Sequence, residues 1–214
     1  RPQNNVVLEA GSRYKYTVKV NTTGLTLEGC TIGSWADGGG ESGAAEDLGY
    51  IYDSNTKTYT VYNADGLMNI AELVNGGKTD INITLTADID LTGKNWTPIG
   101  TDYDNSYKGT FDGGGHTITG LTFTTNDEYV GLFGWLNRAG TVKNVVMEGV
   151  QITSHQIYGG SIGGVVGYSW GTIENCSVSG SVSGTVYVGG VVGAQIGGSI
   201  TGCSSSATVK GTVD

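Results

Sequence analysis

The residues able to do chemistry are few. Asp88 and Asp90 stand at i and i+2 in the alternating stretch 81–91, so both carboxylates leave one strand face while Ile89 and Leu91 leave the other. Such a pair resembles the carboxylates that β-helical carbohydrate-active enzymes use, and it is equally what a solvated strand face contains. Asp112 and His116 flank Gly113, Gly114 and Gly115, which sets an acid beside a base. The same glycines make a turn whose amides Asp112 would cap. Asp102 and Asp104, followed by Asn105, are the metal candidates; they lack the fuller oxygen set that Ca²⁺ takes. His155 has no ligand partner near it, no H-E-x-x-H signature occurs, and no helix opens at the glycine runs as a phosphate loop requires. These residues assign no catalytic group and no cofactor.

Aromatic residues are the stronger binding signal. Tyr103, Tyr107, Tyr129, Trp135, Tyr158, Tyr168 and Trp170 fall mostly at turns or loop edges. Their faces suit sugar rings or protein loops, and they are the candidate ligand-binding residues. Trp135 and Tyr168 each follow an equivalent glycine, so covering coil corners is their alternative role. Cys30, Cys176 and Cys203 show no metal spacing. The last two align in the repeat described below, where parallel Cβ vectors would strain a bridge, and buried free thiols are expected.

The elements that position these residues follow from composition. The chain has 214 residues with 38 glycines and 2 prolines, and 14% are charged against about 25% in soluble domains. Many tight turns or close backbone approaches are implied, with stability drawn from stacked apolar and hydroxyl side chains. A net charge of −9 argues against a nucleic-acid partner. No apolar run reaches the roughly 18 residues of a membrane span.

Residues 1–35 alternate like antiparallel strands, and 36–49 form a linker. A hairpin follows, Tyr50 to Tyr52 against Tyr59 to Tyr62. One amphipathic helix spans 66–75, with Asp65 as N-cap, Gly76 just past the end, and Leu67, Ile70, Leu73 and Val74 on one face. Residues 81–91 alternate as one strand. From residue 98 a repeat takes over. Its leading glycines Gly131, Gly163 and Gly189 are spaced by 32 and 26 residues, and Gly134, Gly167 and Gly193 follow in each unit. Each unit carries two short apolar strands that cannot bury a face alone, which is the logic of a solenoid. Coils would stack at about 4.8 Å, placing Val142, Ile173 and Ile200 in one column, and Val145, Cys176 and Cys203 in another. Asn144 and Asn175 would form a short asparagine stack that Gly202 ends. The fold class is therefore all-β: a parallel β-helix with an N-terminal antiparallel segment and one short capping helix.

From Trp96-Thr97-Pro98-Ile99-Gly100 through Phe111-Asp112-Gly113-Gly114-Gly115-His116 to the later Gly-Gly-Val-Val-Gly units, the chain resembles the GLUG-motif family of bacterial surface β-helices. The resemblance covers about residues 50–211 and implies a right-handed parallel β-helix without intrinsic activity. Such modules occur in large secreted or outer-surface adhesins and beside proteases that cleave antibodies. Residues 6–35, with Leu8, Tyr14, Tyr16 and Trp35, resemble the tail of a fimbrillin-like β-sandwich. The expected organisation is a fimbrillin-like segment over 1–40 and a solenoid over 48–214. The expected function is non-catalytic adhesion or display, secreted or on a bacterial outer surface, with host protein or glycan as partner. A structural spacer and a carbohydrate-active enzyme are the alternatives. Because the sequence stops in strand-like residues, further coils or domains of its own protein are expected partners too.

Overall fold

A computed structural model describes the backbone of residues 12–21 and 24–34, and describes residues 47–156 and 159–211 in full. Tyr158 and most of the expected linker, 36–46, lie outside the described residues. The chain divides into two compact units, Arg1–Glu46 and Asp47–Asp214. In the first, strands Ser12–Asn21 and Gly24–Ser34 pair antiparallel, with a register shift between Tyr16 and Val18.

The second unit is a parallel β-solenoid. Its first sheet runs through Thr58–Val61, Asn82–Leu85, Thr110–Asp112, Thr141–Lys143, Thr172–Glu174 and Ser199–Thr201, with Tyr50–Asp53 antiparallel on its edge. The second residue of each parallel strand points inward. Tyr59, Ile83, Phe111, Val142, Ile173 and Ile200 thus stand one above the next. The first five are buried, while Ile200 is 43% exposed. Each fully buried side chain stabilises the stack by about 1.5–3 kcal/mol. The outward column beside it reads Thr60, Thr84, Asp112, Lys143, Glu174 and Thr201. A second sheet stacks Ile89, Ile118, Met147 and Val178. A third stacks Phe133, Val166 and Val192, and a fourth stacks Val130, Ile162 and Val188.

Between the first and second sheets the chain bends through left-handed residues: Asn144 (φ 54°), Asn175 (φ 52°) and Gly202 (φ 63°). Asparagine tolerates this conformation better than other L-residues. The Asn175 amide donates to Asn144 Oδ1 at 3.4 Å, and the Asn144 amide donates to Asp112 Oδ1 at 2.9 Å. A Cβ on Gly202 would lie 2.3 Å from Asn175 Oδ1, which ends the stack there. The repeat glycines have another cause. None of Gly131, Gly134, Gly163, Gly167, Gly189 and Gly193 lies in the left-handed region. Instead, a Cβ at Gly134 would stand 2.5 Å from the Gly100 carbonyl oxygen, and one at Gly193 2.4 Å from the Ile162 nitrogen. Close packing of backbone from adjacent strands excludes a side chain there.

Two local expectations need correction. Residues 81–91 are not one strand. Asn82–Leu85 joins the first sheet, Ile89–Asp90 joins the second, and the corner between them is tied by the Thr86 N–H donating to the Val61 carbonyl. Inward and outward residues keep alternating around a solenoid corner, so periodicity alone cannot reveal the bend. The helix spans Ala64–Asn75, and its N-cap is Asn63, whose Oδ1 accepts from Gly66 N at 2.8 Å. Asp65 sits in the first turn, where negative charge suits the helix dipole, and pairs with Lys94 at 2.6 Å. The left-handed glycine after the helix is Gly77 (φ 102°), since Gly76 keeps φ −83°.

The helix covers an open edge. The Asn75 side chain donates to the Pro98 carbonyl at 3.0 Å and accepts from Gly100 N at 2.8 Å. It thereby takes the place of a strand neighbour beside Ile99, which bridges to Phe133 in the third sheet. Leu67, Ile70, Ala71 and Val74 are buried, whereas Leu73 is half-buried. Charging Ile70 therefore strikes deeper than charging Leu73. Ile70→Asp is expected to cost about 4 kcal/mol and lower the thermal midpoint by about 10 °C, with Leu73→Asp costing less than half as much. Equal midpoints for the two variants in a calorimetric scan would contradict this cap.

Candidate functional site

The third and fourth sheets, with the loop 101–106, bring four of the seven candidate aromatics together. Trp135 and Tyr168 are in register on neighbouring strands Phe133–Leu136 and Val166–Ser169, with ring centroids 4.4 Å apart. Tyr129, from the fourth sheet, packs on both, 4.6 Å from Trp135 and 5.4 Å from Tyr168. Tyr103 meets Trp135 edge-to-face at 5.9 Å, with the rings 79° apart. Trp135, Tyr129 and Tyr168 are half-buried, and Tyr103 is 71% exposed. In the next coil the register position is Ala194, so the aromatic column ends there.

Tyr103 is exposed but not loose. Its loop is tied by the Asp102 carboxylate, which accepts from Asn105 N at 2.9 Å and from the Thr101 hydroxyl at 3.0 Å. The Tyr103 carbonyl accepts from the Ser106 hydroxyl at 2.7 Å, and Ser106 is held in turn by the Asn137 amide at 3.0 Å. Glu128, which the sequence did not single out, accepts from the Tyr129 hydroxyl at 2.5 Å. Burial, reinforced by this bond, pushes the Tyr129 phenol up. The only sequence signal for Glu128 was its adjacency to Tyr129.

The other aromatics part company. Tyr107 is withdrawn as a ligand contact, because it is fully buried and its hydroxyl donates to the Ile81 carbonyl at 2.9 Å. It faces inward against Phe133 at 5.3 Å, a core role that its loop-edge position concealed. Trp170 carries Arg138 over its ring at 5.6 Å, a cation–π contact.

The carboxylates are engaged in holding corners. Asp88 Oδ1 accepts from Thr117 N at 2.9 Å and faces His116 Nδ1 at 3.3 Å; the Thr117 N–H is the main cause that holds its carboxyl below the usual range. Asp90 accepts from Thr92 N at 2.9 Å. Asp112 accepts from Gly114 N and the Asn144 amide, both at 2.9 Å, and pairs with Lys143 at 3.2 Å. Burial works against its ionisation, yet these donors keep its carboxyl low. Asp112 and His116 are thus bound to different partners. The Asn105 N–H lowers Asp102 in the same way. Among the described residues, no three His, Cys, Asp or Glu side chains cluster as a metal site would need.

Cys176 and Cys203 are both free thiols, one coil apart. Cys176 is buried, and burial pushes its thiol up to about 12. Cys203 is half-buried and accepts from Cys176 N at 3.4 Å.

A parallel β-solenoid with glycine-packed coils and an aromatic corner on its outer surface defines the class. Residues 158–183 and 184–210 each match the GLUG motif, so the later coils of this β-solenoid carry two GLUG motifs. It is 34% identical over 166 residues to halomucin of Haloquadratum walsbyi, a match covering 72% of this chain and 2% of halomucin. A protein of Evansella cellulosilytica, described as a Gly-rich membrane protein, is 38% identical over 100 residues, covering 45% of this chain and 11% of that protein. The chain therefore spans a small fraction of the relatives it matches. A Bacteroides ovatus crystal structure, of a candidate immunoglobulin A1 protease, superposes with a TM-score of 0.62 at 25% identity, covering 73% of this chain and 53% of that one. Among the described residues, no helix is long and apolar enough to cross a membrane.

Two outcomes follow from this chemistry. The corner carboxylates ionise more readily folded than unfolded, so their stabilisation is present above the ordinary aspartate value of 3.8 and is lost as pH falls through their lower folded values. Thermal midpoints should hold steady from pH 7 to about 5 and fall below about 4; a rising midpoint on acidification would refute the assignment. Iodoacetamide labelling of the native chain at pH 8, mapped by peptide, should modify Cys203 at least about tenfold faster than Cys176. Equal rates would mean that Cys176 is not sealed in the core.

Proposed function

We propose that this chain is a non-catalytic module of a secreted or cell-surface protein, which adheres to a host protein or glycan through Tyr103, Tyr129, Trp135 and Tyr168. The observation that carries the proposal is Tyr103. A large ring 71% exposed, on a loop whose backbone is tied by Asp102, Ser106 and Asn137, gains little from folding, and its loop loses little entropy on binding. Absence of catalysis is supported by the acids: Asp88, Asp90, Asp102 and Asp112 each accept turn or inter-coil hydrogen bonds. The surface placement is supported by the relatives, a halomucin and a protein described as a membrane protein. The antiparallel pairing of 12–34 is compatible with the tail of a fimbrillin-like sandwich.

The test is a panel of extracellular-matrix proteins and glycans offered to the wild-type chain and to Trp135→Ala. Binding to at least one member is expected, weakened about tenfold or more by the substitution. No cleavage of pectins, host glycans or peptides is expected. Turnover that vanishes on Asp88→Asn plus Asp90→Asn would reverse the non-catalytic assignment. A chain that binds nothing would assign it the role of a spacer presenting other parts of its protein.

A further inference from the structure

Granting that the aromatic cluster is a binding surface, we infer that its ligand is an uncharged sugar, stacked in the corner between Tyr103 and Trp135, and that acidic glycans are excluded. Two features of the corner carry this, one of shape and one of charge. The rings pack directly on one another, with centroids 4.4–5.9 Å apart. No space remains between them in which a cation could be surrounded by ring faces, the arrangement that strong cation–π recognition uses. The ring they leave most open is that of Tyr103, 71% exposed and set edge-to-face at 79° to half-buried Trp135. An exposed ring of this kind fits the flat C–H face of a pyranose.

The charge comes from the two loops that supply the corner. Residues 101–106 carry Asp102 and Asp104, residues 125–129 carry Asp127 and Glu128, and neither segment contains lysine, arginine or histidine. Asp104, Asp127 and Glu128 are all exposed. Carboxylates are acceptors only, and hydroxyl groups donate to them in charge-assisted bonds. A neutral sugar therefore finds acceptors for its hydroxyls beside the rings. A sialylated, uronic or sulfated sugar brings its own negative charge within the roughly 8 Å over which physiological salt leaves repulsion unscreened. The single arginine of the solenoid, Arg138, is engaged over the ring of Trp170.

The experiment titrates the whole chain with lactose- and mannose-terminated oligosaccharides, their sialylated counterparts, heparin and polylysine. Saturable binding of at least one neutral oligosaccharide is expected, about tenfold weaker in Tyr103→Ala and in Trp135→Ala. Tyr103 is the safer probe, because its ring is exposed and its loss leaves the core intact. A sialic acid cap should weaken binding at least tenfold, and Asp104→Asn with Asp127→Asn should recover part of that loss. Equal or tighter binding of the sialylated sugar or of heparin overturns the inference. So does neutral-sugar binding indifferent to Tyr103→Ala, or aromatic-dependent binding of polylysine alone. Loss of a protein ligand in Trp135→Ala, with no sugar bound, overturns the sugar assignment while the surface reading stands; no aromatic-dependent ligand of any kind overturns both.

Discussion

Everything in the solenoid depends on coils stacking in register at the spacing of hydrogen-bonded strands. At roughly 4.8 Å per coil, like positions sit directly above like positions, and a side chain is acceptable only if it tolerates its own equivalents as neighbours. Tyr59, Ile83, Phe111, Val142 and Ile173 meet that condition by filling one continuous apolar column. The same spacing brings backbone against backbone at Gly134, Gly167 and Gly193, where any Cβ would collide within about 2.5 Å. It also lets Asn144 and Asn175 share a conformation costly for most residues, because the Asn175 amide bonds Asn144 and the Asn144 amide bonds Asp112. Packing, glycine content and corner chemistry are three results of one constraint.

That constraint determines which functional groups remain free. A coil corner leaves backbone N–H groups without strand partners, and the short acids bind them: Asp88 holds Thr117, Asp90 holds Thr92, Asp112 holds Gly114, and Asp102 holds Asn105. A carboxylate engaged by backbone donors is poorly placed to trade protons with a substrate. Aromatic side chains carry no such obligation, and those on the outer face of the third and fourth sheets gather into one cluster. The division of labour is therefore physical: acids at corners and in tight loops, apolar residues including Tyr59, Tyr107, Phe111 and Phe133 inside, and Tyr103, Tyr129, Trp135 and Tyr168 toward the outside.

Much of this was legible in the sequence because repetition is. The equivalence of Val142, Ile173 and Ile200, the pairing of Cys176 with Cys203, and the end of the asparagine stack at Gly202 all follow from aligning three glycine units, and all stand in the structure. What escaped was information that alternation does not carry. The bend at 86–88 was invisible because inward residues recur at period 2 on both sides of a corner. Tyr107 looked peripheral because it lies in a polar loop, yet its hydroxyl finds the Ile81 carbonyl inside the core. Asn63 and Asp65 are equally good capping types, and only the observed chain path decided between them. The grouping of Tyr103 with Trp135 joins a loop to a strand that no local pattern connects.

The outward column beside the first core stack alternates in sign where it carries charge: Asp112, then Lys143, then Glu174, each in register with the next. Solenoids are exposed to one folding error that other folds avoid, in which a coil loops out and its neighbours close over the gap. Here such a skip would still look acceptable from inside, since Phe111 would meet Ile173 in place of Val142. From outside it would set Asp112 directly against Glu174, and like charges facing across strands are destabilising. In the observed register Lys143 stands between these two carboxylates and pairs with Asp112, so the outer face carries register information that the interchangeable apolar core does not.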